Sequence, residues 1–223
     1  MNTVIISLGG SIINPEDIDI SFLKSFKRAI TDYVNKGNRV VIVTGGGSIC
    51  RKYQNAAKAI KNLTDDELDE IGIAATKLHA DFIRLMFGEI AFEKIIDNPT
   101  AEIDTEKKIL VGSGWKPGFS SDRDAVLLAN NLKADTVINL TNIQYVYDKD
   151  PKEYPEAKPF KQLSWKEFGD IIGKDWTPGL NVPFDPVASS DAEKNNIRVV
   201  ILKGLENLES FLNDRQFEGT IIS

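Results

Sequence analysis

Three apolar runs of this chain each end directly in a cluster of glycines, and this feature constrains the fold more than any other. Residues 4–8 precede Gly9-Gly10, residues 39–44 precede Gly45-Gly46-Gly47, and residues 109–111 precede Gly112-Ser113-Gly114. A short β-branched run that ends in a turn is typical of a strand buried on both faces of a parallel sheet. The three runs therefore predict an α/β protein in which glycine turns follow the strands.

Amphipathic segments separate these strands and complete the α/β pattern. A helix is predicted over residues 21–36, with Ser21 as its cap and Gly37 as its end. Thr64-Asp65-Asp66-Glu67 is a capping-box pattern for a helix that runs towards Phe87. The other predicted elements are helices over 48–61, 124–132, 164–173, 185–195 and 205–213, and strands over 136–140 and 197–202. Repeated strand–turn–helix units predict a mainly parallel sheet and a single two-lobed unit.

The composition fits a globular protein and argues against binding to polymeric nucleic acid. Apolar residues make up 42% and charged residues 27% of the 223 residues, so the chain can bury a core. The 27 Lys and Arg against 33 Asp and Glu give a net charge of −6, whereas nucleic-acid binders usually carry a basic excess. We also expect no membrane contact, because no segment has the length of a membrane span and the first residues do not form a signal peptide.

Cysteine and histidine are each present once, which excludes several classes of site. Cys50 has no partner for a disulfide within the chain, and with His79 it leaves too few ligands for a structural zinc ion. A lone cysteine fits a reducing compartment, so we predict a cytoplasmic protein. Both residues are interpreted as packing groups, Cys50 as a small buried hydrophobe and His79 as a histidine that is partly buried in packing or lies at an oligomer interface.

The glycine clusters point to an anionic ligand in spite of the acidic composition. Ligands of open α/β sheets lie beyond the carboxyl ends of the strands, where glycine lets backbone N–H groups approach a phosphate. Arg51 follows Gly45-Gly46-Gly47 by about one helical turn, so its guanidinium can reach the same phosphate. The clusters match neither a Walker A loop nor a spaced Rossmann fingerprint. The simpler alternative, that glycine only makes tight turns here, stays open.

The ordered motifs of the chain resemble those of archaeal-type uridylate (UMP) kinases in the amino-acid kinase superfamily. The resemblance runs nearly end to end, from Val4 to Ile222. It is carried by Ile6-Ser7-Leu8-Gly9-Gly10-Ser11, Val43-Thr44-Gly45-Gly46-Gly47-Ser48, Arg51-Lys52-Tyr53, Asp69-Glu70-Ile71-Gly72-Ile73, Pro117-Gly118-Phe119-Ser120-Ser121-Asp122, Thr141-Asn142-Ile143, Val146-Tyr147, Asp150-Pro151 and Phe184-Asp185-Pro186-Val187-Ala188. The resemblance implies a three-layer αβα sandwich that transfers a phosphoryl group from ATP to UMP with Mg²⁺, giving ADP and UDP.

The resemblance also implies which residues bind UMP. The residues that bind its phosphate would be Gly45, Gly46, Gly47 and Arg51. The residues that border its sugar and base would be Asp69 and Gly72. Ser120 and Ser121 match a hydroxyl pair that lines the same site.

A second set of residues would serve ATP and the transfer step. The groups facing the transferred phosphoryl group would be Gly9, Gly10 and Ser11, and those binding the nucleoside would be Thr141, Asn142, Tyr147 and Asp150. The catalytic positions are Gly10, Ser7 and Asp185, of which Asp185 matches the acidic residue that organises the phosphate site. Asp185 also precedes Pro186 as a helix cap would, and capping is compatible with catalysis.

At the level of the whole molecule, the resemblance implies one domain over residues 1–223. Its UMP-binding lobe would cover approximately 1–135 and its ATP-binding lobe 136–223. The family forms hexamers built as trimers of dimers, so we expect a homo-oligomer. The wide apolar faces of the predicted helices over 21–36 and 64–87 are consistent with that expectation.

Three positions depart from the family pattern. Ser7 stands where the wider superfamily usually has a lysine, and Lys116 and Lys174 are possible replacements, although each is interpreted more simply as a surface lysine. Tyr145 replaces a glycine, which can reshape the adenine pocket or require another backbone φ. Asp124 follows Asp122 closely; it can bind Mg²⁺, but a role at the helix start is the simpler interpretation.

Two alternatives to a UMP kinase stay open. The first is a kinase of the same fold for another small phosphate or carboxylate. Isopentenyl phosphate kinases have a histidine shortly after the triple glycine, where this chain has Arg51, and acetylglutamate kinases are longer, so both comparisons favour UMP. The second is a non-catalytic nucleotide-binding or storage protein, which Ser7 and Tyr145 motivate.

Overall fold

The computed structural model describes residues 2–173 and 182–223, and the sheet within them is mainly parallel, as predicted. The strands are β1 (Thr3–Leu8), β2 (Arg39–Thr44), β3 (Ala91–Ile96), β4 (Ile109–Gly112), β5 (Thr136–Thr141), β6 (Val146–Tyr147), β7 (Pro159–Phe160), β8 (Gln162–Leu163), β9 (Arg198–Lys203) and β10 (Gly219–Ile222). The large sheet has the order β3-β4-β2-β1-β5-β9-β10-β8, and β6 and β7 form a small antiparallel pair beside it. All neighbours from β3 to β9 are parallel, β10 is antiparallel to β9, and β8 is parallel to β10.

Helices cover both faces of this sheet, which confirms the three-layer αβα sandwich. They are α1 (Gly10–Ile13), α2 (Ile20–Asn35), α3 (Gly47–Ile60), α4 (Asp65–Phe87), α5 (Ser121–Asn131), α6 (Trp165–Ile172), α7 (Pro186–Lys194) and α8 (Leu205–Leu212). One hydrophobic core contains residues of α2, α4 and α8, and the other contains residues of α5, α6 and α7.

The central strand β1 contributes side chains to both hydrophobic cores, because its side chains alternate between the two faces of the sheet. Val4, Ile6 and Leu8 pack into the core on the α2 and α4 side, whereas Ile5 packs into the core on the α5 side. Since β1, β2, β4 and β5 are adjacent and parallel, their carboxyl ends meet at one edge of the sheet. This is the edge to which the glycine turns belong.

Most predicted element boundaries are confirmed to within a few residues, and the exceptions have local causes. The N-cap of α2 is Asp19, whose carboxylate accepts a hydrogen bond of 2.9 Å from the Phe22 N–H, so the prediction of Ser21 as the cap is wrong. The capping boxes at Thr64 and Ser164 are both formed. The sequence does not predict strand β3 because Glu93 and Lys94 interrupt its apolar pattern, and it does not predict β10 because Gly219 and Thr220 leave only its last two residues apolar.

None of the helices within residues 2–173 and 182–223 is long and apolar enough to cross a bilayer.

Candidate functional site

The turns after β1 and β2 are in direct backbone contact, which only glycine permits. A Cβ on Gly10 would overlap the nitrogen of Gly47 and the carbonyl of Gly45, and a Cβ on Gly45 would lie 2.9 Å from the nitrogen of Gly10. Gly47 also has a φ of +60°, a region that favours glycine. The glycines therefore allow two strand-to-helix turns to lie against one another.

A cavity of about 740 Å³ opens at these turns, beyond the carboxyl ends of the strands. Most of the residues predicted for the site line it: Ser11, Gly46, Gly47, Arg51, Asp69, Gly72, Ser120, Ser121, Asn142 and Asp185. Gly9, Gly10 and Gly45 belong to the two turns at its floor, and Gly9 donates a hydrogen bond of 3.1 Å to the Leu140 carbonyl. The volume falls within the range of ordinary small-molecule sites.

Helix α3 begins at the cavity and presents an anion-binding end to it. Its first internal bond runs from the Cys50 N–H to the Gly46 carbonyl at 3.2 Å, so the amides of Gly47, Ser48 and Ile49 have no acceptor inside the helix. Arg51 lines the cavity one turn further on, and within the part of the chain that the structure describes no carboxylate pairs with it. The helix end and the guanidinium together suit a phosphate group.

Two carboxylates, those of Asp122 and Asp185, also line the cavity. The hydroxyl of Ser7 donates a hydrogen bond of 2.9 Å to Oδ1 of Asp122, and the Asp185 N–H approaches Oδ2 of Asp122 at 3.4 Å. Burial raises the pKa of Asp122 to about 6 and nearby Asp185 adds to the rise, while the hydrogen bonds from Ser7 and the Asp185 backbone oppose it. The arrangement therefore places two neighbouring acidic groups at the cavity.

Asp185 combines the two roles that its sequence position allows. Its Oδ1 accepts a hydrogen bond of 2.8 Å from the Ala188 N–H, so it caps α7, in which Pro186 is the first residue. Asp185 is only 5% exposed, yet it lines the cavity. The cap fixes the carboxylate at the start of α7, where none of the described residues donates a hydrogen bond to its other oxygen.

Asp124 has a different environment from Asp122, although the two are separated by one residue. Asp124 is fully buried, and its Oδ2 accepts a hydrogen bond of 3.1 Å from the Trp115 N–H, while its Oδ1 has no partner within the described residues. Burial raises the pKa of Asp124 to about 7. It does not line the cavity and instead anchors the segment 113–120, which carries Ser120 towards the site.

Of the residues predicted to bind the ATP nucleoside, only one lines the cavity. Asn142 lines the cavity, whereas Thr141, Tyr147 and Asp150 lie outside its lining, along β5, β6 and the turn that follows. Tyr145 needs no special backbone, because the non-glycine residues with positive φ within the described chain are Lys133, Asn196 and Asp214. Its ring makes an edge contact with Tyr147, with centroids 6.2 Å apart.

Only one of the two lysines considered as replacements for a lysine at position 7 falls within the described residues. Lys116 is exposed, with its ammonium 3.9 Å from the centre of the Trp115 ring and 4.8 Å from that of Phe119. Lys174 lies outside the described residues. Among the residues that the structure describes, the cations that line the cavity are Arg51 and Lys58.

Several lining residues were not identified from the sequence. They include Gln54, Lys58, Thr76, Phe119 and Asp122 as a site residue in its own right. Gln54 and Lys58 continue the Arg51 face of α3 at helical spacing, so that periodicity was an available signal. Asp122 had no such signal, because its link to Ser7 joins positions 115 apart in the sequence.

Comparison of this sequence with those of known proteins supports the resemblance to uridylate kinases. The model of the amino acid kinase family matches residues 2–203. The chain is 33% identical to the uridylate kinase of Thermoplasma volcanium over 216 residues, which are 96% of this chain and 94% of that relative. It is 32% identical to the uridylate kinase of Methanococcus aeolicus over 225 residues, which are 99% of both chains.

Solved structures agree with this similarity. The crystal structure of the uridylate kinase from Archaeoglobus fulgidus superposes with a TM-score of 0.86 at 30% identity, covering 100% of both chains. The aspartate kinase from Synechocystis superposes with a TM-score of 0.76 at 20% identity, over 99% of this chain and 39% of that one. The second match concerns the fold alone, which occurs there as part of a longer kinase.

Proposed function

Because this chain belongs to the amino acid kinase family, and its relatives include archaeal uridylate kinases, we propose that it transfers a phosphoryl group from ATP to UMP, giving ADP and UDP. One observation carries the proposal beyond similarity. The β1 and β2 glycine turns touch each other at the floor of a single cavity. Phosphoryl transfer needs its donor and acceptor phosphates adjacent and in line, and two touching phosphate-binding turns provide that placement.

The turn after β2 is the acceptor side of the reaction. The free amides at the start of α3 and the Arg51 guanidinium bind the UMP phosphate, since Gly47 and Arg51 lie within about one helical turn of each other in the cavity lining. Asp69 and Gly72 of α4, with Ser120 and Ser121 opposite, border the sugar and base. Asp69 is already fixed for this role, because its Oδ2 accepts a hydrogen bond of 2.8 Å from the Gly118 N–H.

The turn after β1 is the donor side. Gly9, Gly10 and Ser11 face the phosphoryl group that is transferred, with Ser11 in the cavity lining. Thr141, Asn142, Tyr147 and Asp150 bind the ATP nucleoside, and Asn142, at the cavity, joins this segment to the phosphates.

The pair Asp122 and Asp185 fits a magnesium ion shared with the substrates. Two carboxylates beside two phosphates repel them unless a cation lies between, and Mg²⁺ is commonly held by one or two carboxylates together with substrate phosphates. The described residues contain no group of three or more side chains able to cage a metal by themselves, which fits such sharing. When bound, the ion neutralises charge that develops on the phosphoryl oxygens.

Ser7 and Asp122 take the place of the lysine arrangement common in the superfamily. The Ser7 hydroxyl, only 3% exposed, directs Asp122 by donating to its Oδ1. Asp122 and Asp185 then hold a cation near the donor turn, while Arg51 supplies fixed positive charge on the acceptor side. With positive charge supplied by the cation and by Arg51, phosphoryl transfer needs no basic side chain at position 7.

We further propose that the single domain over residues 1–223 is used as two lobes, approximately 1–135 for UMP and 136–223 for ATP. The acceptor turn, Arg51 and Asp69 all belong to the first segment, and Asn142 and Asp185 belong to the second. The cavity lies where they meet. A cytoplasmic location, consistent with the single free Cys50, and the absence of a polymeric nucleic-acid partner remain predictions.

The protein is also proposed to form a homo-oligomer, with a hexamer built as a trimer of dimers as the expected form. Helix α4 leaves an apolar stripe uncovered: Leu78 is 57% exposed, Phe82 37% and Leu85 65%. These residues follow helical spacing, so they share one face. A second copy of this chain presents the same stripe and suits it best, because symmetric dimers pair like surfaces. The corresponding apolar face of α2 is instead buried in the core.

An acceptor panel tests the proposed function. Purified protein is incubated with ATP and Mg²⁺ together with UMP, CMP, AMP, isopentenyl phosphate or acetylglutamate, and ADP and the phosphorylated product are quantified. We expect turnover with UMP to exceed that with each other acceptor. Turnover with isopentenyl phosphate or a carboxylate instead would support the other kinases of this fold, and ATP binding without turnover would support a storage or sensor protein.

A further inference from the structure

The only histidine of the chain contacts the acceptor turn directly. His79 lies on α4, is 5% exposed, and places its Nδ1 2.7 Å from the carbonyl oxygen of Gly45. Because a carbonyl only accepts hydrogen bonds, Nδ1 carries the proton and donates. His79 is therefore a partner of the glycine turn after β2 rather than a group in the apolar core alone.

This hydrogen bond fixes the direction of one peptide group in the turn. The Gly45 carbonyl and the Gly46 N–H belong to the same planar peptide and point in opposite directions. Gly46 lines the cavity, and glycine on both sides of the peptide gives no side-chain resistance to its rotation. The external donor on the Gly45 carbonyl therefore adds to the Gly10 contact in holding the peptide in one orientation.

Thr76, on the same face of α4, makes equivalent contacts to the neighbouring turns. Its Oγ1 accepts a hydrogen bond of 2.8 Å from the Gly114 N–H, and its carbonyl accepts one of 2.9 Å from the Thr44 hydroxyl. Helix α4 therefore fastens the ends of β2 and β4 through buried polar groups. Such groups cost stability unless they are paired, so their placement is specific to these turns.

We propose that His79 is a positioning residue for the acceptor phosphate: by holding the Gly45 carbonyl, it keeps the turn after β2 in the conformation that binds UMP. This inference rests on the proposed UMP kinase function. It assigns His79 no contact with the substrate and no proton transfer. His79 acts through the backbone, so its effect falls on the acceptor and not on ATP, which is bound by the other turn and by the segment after β5.

The test compares variants that differ in the ability to donate to Gly45. In His79→Asn the amide nitrogen can take the place of Nδ1, whereas His79→Leu fills the space without a donor. His79→Met serves as a second donor-free variant, because its flexible side chain is tolerated in cores if leucine is not. Ile83→Val is the matched control, since Ile83 is fully buried one turn further along α4.

We expect the KM for UMP to rise about tenfold in the donor-free variants, the usual effect of losing one hydrogen bond to a buried group. The Asn variant should recover most of this loss, the KM for ATP should change less than about twofold, and Ile83→Val should lower only the melting temperature. Equal effects of Asn and Leu, or parallel rises in both KM values, would overturn the proposal.

The failure of the proposed function is separable from the failure of this inference. If the wild type forms no UDP, the kinase proposal fails, and calorimetric titration with UMP then measures the role of His79 without turnover. A similar dissociation constant for UMP in the wild type and the donor-free variants would contradict the positioning role. A weaker affinity in the donor-free variants, restored in His79→Asn, would support it.

Discussion

The hydroxyl of Ser7 donates a hydrogen bond of 2.9 Å to Oδ1 of Asp122, linking the end of β1 to the first turn of α5 across 115 positions of sequence. Asp122 in turn lies beside Asp185, whose N–H approaches its second carboxylate oxygen. The three residues connect the donor turn, the start of α5 and the start of α7 at one point. This connection is the basis of the role proposed for Asp122 in catalysis.

Asp122→Asn should reduce kcat for UMP phosphorylation at least on the order of 100-fold while leaving UMP affinity largely unchanged. The change removes a negative charge needed for the cation and places an amide donor against the Asp185 N–H. Steady-state kinetics with varied UMP and Mg²⁺ measure this. Asp81→Asn is the control, because Asp81 is exposed and pairs only with Arg84 on the outside of α4. A normal kcat in Asp122→Asn would contradict the proposed role.

Gly10→Ala should abolish most activity, because the new methyl group overlaps the backbone of Gly45 and Gly47. The two turns must then separate, which disrupts the in-line placement of the phosphates. Gly169→Ala is the matched control: Gly169 lies within α6, and nothing surrounds the position of its Cβ within 4 Å. We expect that control to keep full activity and to gain about 0.5–1 kcal/mol of stability, as helical Gly→Ala changes do. Full activity in Gly10→Ala would show that the turn contact is dispensable.

Arg51→Ala should raise the KM for UMP on the order of 10- to 100-fold, the loss expected for a charge-assisted hydrogen bond to phosphate. Arg51→Lys should recover part of it, because lysine keeps the charge but not the bidentate geometry. Initial rates at varied UMP and saturating ATP measure both variants. An unchanged KM in Arg51→Ala would place the UMP phosphate elsewhere in the cavity.

The buried carboxyl of Asp124 should make the stability of the fold depend on pH. Its pKa is raised from 3.8 to about 7 in the folded state, so folding favours the protonated form. The stability lost by ionising Asp124 is therefore absent below the ordinary pKa near 3.8, grows as pH rises, and is complete above pH 7.

Asp124→Asn removes this ionisation while keeping an oxygen for the Trp115 N–H. The melting temperature of the variant relative to the wild type should consequently rise between pH 5 and pH 8, by about 2–4 °C for each kcal/mol. Thermal unfolding followed by circular dichroism, with a chelator present, measures the difference. A difference that does not vary with pH would contradict an ionised, buried Asp124.

The exposed apolar stripe of α4, formed by Leu78, Phe82 and Leu85, predicts that one charged side chain placed on it weakens the homo-oligomer. Leu78 is 57% exposed, so Leu78→Glu should leave the isolated fold intact but disfavour contact between like stripes. Light scattering coupled to size-exclusion chromatography should show a lower mass than for the wild type. Lys77→Glu, beside it but paired with Asp97, controls for a change of charge on the same helix. An unchanged mass in Leu78→Glu would place the interface on another surface.

Local patterns in the sequence were sufficient to predict most of the fold. Buried parallel strands such as β2 are continuous apolar runs, and the capping boxes at Thr64 and Ser164 determine helix starts through contacts only three residues apart. Edge strand β3 lacks such a run, since it is covered less completely. At α2, Asp19 and Ser21 are both acceptable caps, and only the path of the preceding loop selects Asp19.

The site was predictable where glycine and arginine follow a strand, and not where residues distant in sequence meet. The motif around Gly45 predicted the acceptor turn because the turn is local. The contacts of Ser7 with Asp122 and of His79 with Gly45 depend on how β1, α4 and α5 pack, which no spacing encodes. Burial likewise separates Asp122, which faces the cavity, from Asp124, which does not.

Transfer of the phosphoryl group from ATP to UMP is tested most directly by following the products of ATP, UMP and Mg²⁺ with ³¹P nuclear magnetic resonance. We expect phosphate resonances of UDP and ADP to appear together and in equal amounts as UMP disappears, and to appear on the order of 100-fold more slowly with Asp122→Asn at equal protein concentration. ATP and UMP that both bind yet stay unchanged with the wild-type protein would contradict the proposed transfer.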